Sequence, residues 1–266
     1  MMRTPSMILR NALAAMSVRL VAMQLALALL VFSLAVVWLR LPDSSALSVL
    51  ATILLGLLLV AFATSGEVVI MVRLCGRAVT SGRLLKGGIF LLAGVALWFA
   101  WAALIGHFQE KDMALAGYLS SRLPESWRNI FSYWHIYQGL EWMSSAMVRM
   151  GAGVLAVFAY SATVSTHPAS AIRCALRSTT YWVALLVGSF LAPFLTGLLM
   201  QWTPGHDLGI EMVSLILRLG AVTILDSLIV VFLLAVLAAC ILYSDSTYVT
   251  PAGGPERSQP RTDEIP

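Results

Sequence analysis

The sequence predicts an all-α polytopic membrane protein with six transmembrane helices, and its composition and apolar segments indicate this class. Hydrophobic residues make up 59% of the 266-residue chain and charged residues only 11%, whereas a soluble domain carries about 25% charged residues. The mean hydropathy of +0.87 leaves too little polar surface to cover a globule in water. Soluble, disordered, collagen-like and disulfide-rich secreted proteins are therefore excluded.

Six continuous apolar stretches are long enough to cross the bilayer core, which takes about 20 residues. Charged residues or helix breakers bound each stretch, as at 40–43 and 203–205. An outer-membrane barrel would instead need short segments of alternating polarity. The first stretch exceeds a signal-peptide core of about 7–15 residues, so we expect it to be an anchor. The predicted spans are Leu20–Leu39, Ala46–Met71, Gly88–Gly106, Met143–Val164, Tyr181–Met200 and Met212–Tyr243.

The basic residues predict that both termini lie in the cytoplasm, because cytoplasmic loops carry an excess of Lys and Arg. Of the 17 basic residues, eleven then fall on the inner side and four on the outer side, with Arg149 and Arg218 inside spans. All three cysteines also fall at the inner side, where thiols stay reduced. We therefore predict a multi-pass protein of the cell inner or plasma membrane. The inner set is Arg3, Arg10, Arg19, Arg73, Arg77, Arg83, Lys86, Arg173, Arg177, Arg257 and Arg261, and the outer set is Arg40, Lys111, Arg122 and Arg128.

A short basic amphipathic segment precedes each outward-going span, at Met7–Arg19, Arg73–Lys86 and Ala169–Thr180. This plan predicts three helical hairpins, each with a cytoplasmic interfacial helix at its base. Such a helix buries its apolar face among the head groups while its arginines meet anionic lipid. The alternative is that these arginines only set the topology. The residues predicted to contact anionic lipid or a partner are Arg10, Arg19, Arg73, Arg77, Arg83, Lys86, Arg173 and Arg177.

Aromatic residues at helical spacing predict one outer interfacial helix over about 124–142. Its aromatic face consists of Trp127, Trp134, Tyr137 and Trp142. Such a stripe is typical of an interface anchor, and a lid or a docking surface for a partner is the alternative.

The chain thus divides into a cytoplasmic amphipathic segment (1–19), a six-helix domain (20–243) and a polar tail (244–266). The tail is rich in proline and poor in apolar residues, a composition that cannot bury a core, so we predict that it is disordered.

Ionisable residues inside the spans are the candidate functional residues, because a charge at the bilayer centre costs at least about 2.5–3.5 kcal/mol. Asp226 lies midway along the last span, Arg218 precedes it by two turns, and Arg149 lies near the outer end of the fourth span. One interpretation is a polar pathway or a proton-binding carboxylate between the fourth and sixth spans. The other is an ion pair between Arg149 and Asp226, or an Arg218 that extends outward to the interface.

Glu67 lies near the inner end of the second span. There we expect it to be interfacial and to face Arg10 or Arg73.

Motifs of known chemistry are missing from the sequence. It contains no HExxH, no GxSxG elbow and no Walker GxxxxGK[ST] motif. We therefore predict no catalytic residue, no metal site and no cofactor, and a non-enzymatic protein is favoured. A lipid-modifying enzyme remains a third hypothesis, which would require His, Asp or Ser residues to converge in space. The basic residues are spread along one membrane face, so nucleic acid is not expected as a partner.

Three short basic segments, Leu9–Leu13, Gly76–Lys86 and Ile172–Arg177, each lead into an apolar run. In this respect the chain resembles a group of uncharacterised bacterial six-span proteins, which are similar to the membrane domain found beside some glycerophosphodiesterases. The resemblance implies a six-helix membrane domain and assigns no functional residue. The size and topology also resemble the permease subunit of bacterial exporters driven by a separate ATPase. That resemblance implies that Arg73–Lys86 would be the coupling helix, although the family's Glu- and Pro-containing motif is missing after the second span.

The function predicted from these features is an accessory or scaffold subunit of a membrane complex. The missing chemistry, the small residues within the spans and the aromatic outer helix favour it. The alternative is a transport component, such as the exporter permease, which the intramembrane charges and Pro193 within the fifth span favour. The expected partners are the lipid bilayer, with anionic head groups on the cytoplasmic side, and a membrane protein or an ATPase.

Overall fold

A computed structural model describes residues 5–41, 45–128, 130–201 and 208–249, and every regular element in these ranges is a helix. Six of the helices are long and apolar enough to cross a membrane. The predicted all-α class and the six helices of membrane-spanning length are thereby confirmed. The helices are α1 (Pro5–Ala15), α2 (Val18–Leu39), α3 (Ala46–Leu74), α4 (Ser81–Gln109), α5 (Asp112–Arg122), α6 (Glu125–Arg128), α7 (Tyr133–Val164), α8 (Pro168–Arg177), α9 (Thr179–Gln201) and α10 (Leu208–Val249).

The segment between α3 and α4 differs from the predicted interfacial helix at Arg73–Lys86. Helix α3 ends at Leu74 in a Schellman turn, in which Gly76 has a positive φ of 63° and the Arg77 N–H donates to the Val72 carbonyl. Helix α4 then begins after Thr80, whose side chain accepts from the Arg83 N–H. No separate helix therefore forms here. Glycine in one turn and an N-cap threonine four residues later leave only a short loop.

The segment 124–142 also differs from its prediction, which was one outer interfacial helix. Helix α6 is a single turn, and a new helix begins at Tyr133 after the N-cap Ser132, whose side chain accepts from the His135 N–H. That helix, α7, continues without a break to Val164, so three of the four aromatic residues belong to a span rather than to an interfacial helix. The sequence did not predict α5, which contains the buried Ala116 and packs against α7.

The last helix is longer than predicted. The sequence predicts a disordered tail from Ser244, yet α10 continues to Val249, and residues 250–266 lie outside the described residues. Its 42 residues correspond to about 63 Å at 1.5 Å per residue, about twice the thickness of the hydrocarbon core.

The core of the protein surrounds the C-terminal half of α10. Val231, Leu237 and Ile241 are among its fully buried residues, and α10 packs against α1, α2, α8 and α9. By contrast, the large apolar residues in the first half of α10 are mostly exposed. The core is therefore concentrated at one end of the bundle, where α2 and α4 begin and α3 and α7 end. We call this the basic end, since Arg19, Arg73 and Arg83 lie there.

Two short helices complete the core at the basic end. Ala12 of α1 and Ala171 and Ala175 of α8 are fully buried, and both helices contact α10. Alanine has the smallest side chain that still favours a helix, so it lets a short helix lie close against a neighbour. Both helices are therefore part of the packed bundle.

Glycines allow the long helices to approach closely at a few points. A Cβ atom added to Gly87 of α4 would lie 2.7 Å from Val68 of α3 and 2.8 Å from Thr163 of α7. A Cβ on Gly153 of α7 would overlap the side chain of Leu185 of α9. Small residues at such contacts are characteristic of packed membrane helices.

We predict that Gly87→Ala destabilises the protein by about 1–3 kcal/mol, because the new methyl group overpacks the α3–α4–α7 contact. Gly106→Ala on the same helix is the matched control, since nothing lies within 4 Å of its added Cβ and alanine has the higher helix propensity. The measurement is the midpoint of thermal unfolding of each purified variant in the same detergent. Equal midpoints for the two variants would contradict the close contact at Gly87.

Candidate functional site

The predicted ion pair between Arg149 and Asp226 is not present in the described part of the chain. Asp226 is half-buried on α10. Its Oδ1 atom is buried and accepts no hydrogen bond from any described residue. Such an atom has lost its water without gaining a donor, which costs about 1–3 kcal/mol or more for a charged group.

Arg149 contacts an aromatic side chain instead of a carboxylate. Its guanidinium lies over the ring of Phe190 on α9, with Cζ 4.2 Å from the ring centroid. Phe190 in turn stacks on Trp142, with the two ring centroids 4.8 Å apart. The Nη1 atom of Arg149 is buried and donates to no group in the described ranges. Cation–π contact offsets only part of the desolvation of this charge.

Arg218 bonds to backbone carbonyls near one end of α10. Its Nε donates to the Ser214 carbonyl at 3.3 Å, and its Nη1 donates to the Met200 carbonyl of α9 at 3.1 Å. The three charged residues predicted for the fourth and sixth spans therefore have three different environments. Of the three, only Arg218 forms hydrogen bonds through its charged group with described residues.

Glu67 pairs with Gln24, which was not among the predicted functional residues. Gln24 of α2 is 6% exposed, and its Nε2 donates to the Glu67 Oε1 at 2.8 Å. The predicted contact of Glu67 with Arg10 or Arg73 is wrong: Arg10 is exposed, and Arg73 donates to the Met23 sulfur at 3.3 Å. A lone glutamine in the otherwise apolar first span was the signal that could have identified this pair.

The Gln24–Glu67 pair lies next to two buried tyrosines. Tyr160 of α7 is close enough to Glu67 and Tyr181 to interact with both electrostatically, and the Tyr181 hydroxyl donates to the Gly153 carbonyl at 2.8 Å. The Gln24 Oε1 atom is buried and accepts no hydrogen bond from the described residues. Hydrogen bonds of these side chains join α2 to α3 and α9 to α7 inside the bundle.

A second polar group, which we call the terminal polar cluster, closes the basic end. It consists of Arg77, Ser165, Ser170, Ser244 and Asp245. Arg77 forms an ion pair with Asp245, and the Ser165 hydroxyl donates to the other Asp245 oxygen at 2.6 Å. The Ser244 hydroxyl donates to the Ser170 hydroxyl at 3.0 Å. The cluster thus joins the end of α10 to the end of α7, to α8 and to the loop after α3.

The cluster changes two assignments made from the sequence. Arg77 is held by Asp245 rather than directed at lipid or a partner. Asp245, placed in a disordered tail, is a buried residue, 7% exposed. The two are 168 residues apart, so only the fold brings them together.

Most of the other predicted surface residues are exposed. Arg10, Arg19, Arg73, Lys86, Arg173 and Arg177 are exposed, and Arg83 is half-buried with its Nη1 donating to the Ala78 carbonyl at 2.8 Å. The aromatic residues Trp127, Trp134 and Trp142 are more than half exposed, and Tyr137 is half-buried against the ring of Tyr133. In the described ranges no group of three His, Cys, Asp or Glu residues could hold a metal ion.

No protein-family model, curated protein or solved structure matches this chain.

Cys75 is a natural reporter of the terminal polar cluster. The thiol is 6% exposed. Burial raises its pKa to about 12, the nearby Asp245 carboxylate adds to this, and Arg77 opposes it. Only the thiolate is nucleophilic, so Cys75 should react very slowly with maleimides.

We predict that Asp245→Ala increases the rate at which maleimide labels Cys75. Without the carboxylate, the Arg77 guanidinium is left without its partner, and this end of α10 opens more often. The assay uses the Cys174→Ser background, because Cys174 is half-exposed whereas Cys240 is fully buried. Asp112→Ala, which removes a buried carboxylate on α5, is the control. An unchanged Cys75 rate in Asp245→Ala would show that the cluster does not hold this end closed.

Proposed function

We propose that this chain is a non-catalytic subunit of a larger membrane complex in the cell inner or plasma membrane. The observation that carries the proposal is the buried Oδ1 of Asp226, which accepts no hydrogen bond from the described residues. The Nη1 atom of Arg149 on α7 is a second buried polar atom without a hydrogen-bond partner among the described residues. Both lie within helices of membrane-spanning length, where no bulk water is available to satisfy them.

A partner helix is the simplest source of the missing contacts. Charged side chains within membrane spans almost always pair with one another, with backbone groups or with a water-filled cavity. A polar side chain on a neighbouring protein would supply a donor for Asp226. Exposed apolar surface alone does not support a partner, because lipid covers it equally well, and the proposal therefore depends on the polar atoms.

The orientation belongs to the same proposal. Both termini are cytoplasmic, and the spans form three hairpins, with α1 and α8 at the cytoplasmic interface. The exposed Arg10, Arg173 and Arg177 on these short helices support this arrangement, since arginines at that depth meet anionic head groups. The exposed tryptophans of α6 and α7 act as anchors at the opposite interface.

The exporter alternative has less support. The coupling helix that the permease resemblance implies at Arg73–Lys86 would have to be a separate element. Instead, that segment contains the last turn of α3, a short loop and the first turns of α4.

We predict that a membrane-protein partner co-purifies with the tagged chain in mild detergent and is lost several-fold with Asp226→Ala. Thr223→Ala is the matched control, because Thr223 lies one turn away and its hydroxyl bonds to its own helix at the Leu219 carbonyl. Quantitative mass spectrometry of the purified material, normalised to the amount of bait, gives the comparison. The proposal fails if the chain purifies alone, or if the partner is recovered equally with both variants. A stoichiometric ATPase would instead make the exporter alternative the leading one.

A transport role in which protons move is supported by one observation, the pair of Glu67 and Gln24. A half-buried carboxyl bonded to an amide, with Tyr160 nearby, is the kind of group that proton pathways use.

This alternative predicts that the protein, reconstituted in liposomes, dissipates an imposed pH gradient and that Glu67→Gln abolishes this flux, because the amide cannot exchange a proton. A pH-sensitive dye inside the vesicles measures the gradient, and Asp226→Asn tests whether the second carboxyl takes part. Absence of flux with the wild-type protein would remove the alternative.

A further inference from the structure

An apolar groove lies between α2 and α3 and reaches the first turn of α4. Its volume is about 410 Å³, which falls within the range of about 300–1,000 Å³ typical of small-molecule sites. Met23 and Leu30 of α2, Phe62 and Ile70 of α3, and Leu84 of α4 line it. Its lining is almost entirely apolar, so its occupant must present a hydrocarbon surface.

Small side chains create the groove. Ala26 of α2 and Ser65 and Gly66 of α3 line its floor, where larger residues would fill the space. At Gly66 the two helices are already close, since an added Cβ would lie 2.5 Å from the Leu27 side chain. The groove is therefore a recess beside a tight helix contact.

The length of the groove matches one leaflet of a bilayer. From Met23 to Leu30 along α2 is about 10 Å, and from Ile70 to Phe62 along α3 about 12 Å, at 1.5 Å per residue. Half of the hydrocarbon core is about 15 Å. The groove starts near the beginning of α2 and the end of α3, so it occupies the leaflet at the basic end.

Arg73 lies at the mouth of the groove, and two further arginines lie near its lining residues along the chain. The exposed Arg73 reaches across it, with Nη1 3.3 Å from the Met23 sulfur, and a thioether is only a weak acceptor. Arg73 forms no ion pair with any described residue. Arg19 precedes Met23 by one helical turn, and Arg83 is the neighbour of Leu84. The nearby Glu67 does not line the groove and is bonded to Gln24.

We propose that this groove is a specific site for one anionic phospholipid, with an acyl chain in the apolar recess and the phosphate at Arg73. A guanidinium binds a phosphate with two parallel hydrogen bonds, so the phosphate replaces the weak contact with Met23. The cationic mouth selects an anionic lipid over a zwitterionic one, because arginines there repel the cation of a zwitterionic head group. The site does not depend on whether the chain is a subunit of a complex.

Native mass spectrometry of the purified full-length chain tests the site, with dioleoyl phosphatidylglycerol and dioleoyl phosphatidylcholine as probes. These lipids share their acyl chains and differ in head-group charge. Arg73→Ala is expected to weaken phosphatidylglycerol binding about ten-fold, the effect of losing one charge-assisted contact. Phosphatidylcholine carries the same phosphate beside a choline cation, so its binding should fall less. Arg40→Ala removes one exposed charge at the other end of α2 and should change neither.

The apolar recess is tested separately with Ala26→Phe, which fills it. This variant should weaken binding of both lipids, and its thermal unfolding midpoint establishes that it is folded; Ser65→Phe replaces it if it is not. Equal effects of Arg73→Ala and Arg40→Ala would overturn the proposal, because binding would then depend only on general surface charge. Unchanged phosphatidylglycerol binding in a folded, groove-filled variant would overturn it as well.

Discussion

The structure depends on the burial of the C-terminal half of α10. This segment lies at the centre of the hydrophobic core of the described chain, and α1, α2, α8 and α9 all contact it. Burying a large aliphatic side chain is worth about 1.5–3 kcal/mol in water, but lipid is as apolar as leucine, so within the bilayer close packing and polar contacts must contribute instead. The glycines at the helix contacts and the terminal polar cluster supply both.

Polar side chains therefore have two different roles in this protein. At the basic end, Arg77 and Asp245 satisfy each other and fix the end of α10. Further along the bundle, Asp226 and Arg149 each keep a buried atom without a hydrogen bond among the described residues. The first arrangement completes the fold, whereas the second leaves an electrostatic cost that a contact outside the chain would relieve.

The sequence was sufficient to predict the six long helices but not their contacts. Continuous apolar runs identify spans reliably, since a bilayer requires about 20 apolar residues, and all six appear. Polar stretches are harder to predict from sequence. Asp245 has the sequence context of a solvated tail, and only the fold reveals its partner 168 residues away. The predicted Arg149–Asp226 pair is absent for a related reason. Pairing depends on the rotation of each helix about its axis, and this rotation cannot be deduced from a single sequence. Gln24 was visible and overlooked, although a single amide in an apolar span is costly enough to indicate a bonded neighbour.

The central position of α10 has a consequence for biosynthesis. The helix is the last described element to leave the ribosome, yet α1 and α2, among the first, pack directly against it. During translation the earlier spans therefore enter the membrane before α10 is made, and the site that α10 fills stays empty. The final packing step then brings α10 against α1 and α2. Contacts of such high sequence separation form slowly, and a chain interrupted before α10 would expose this unfilled interior to membrane proteases and chaperones.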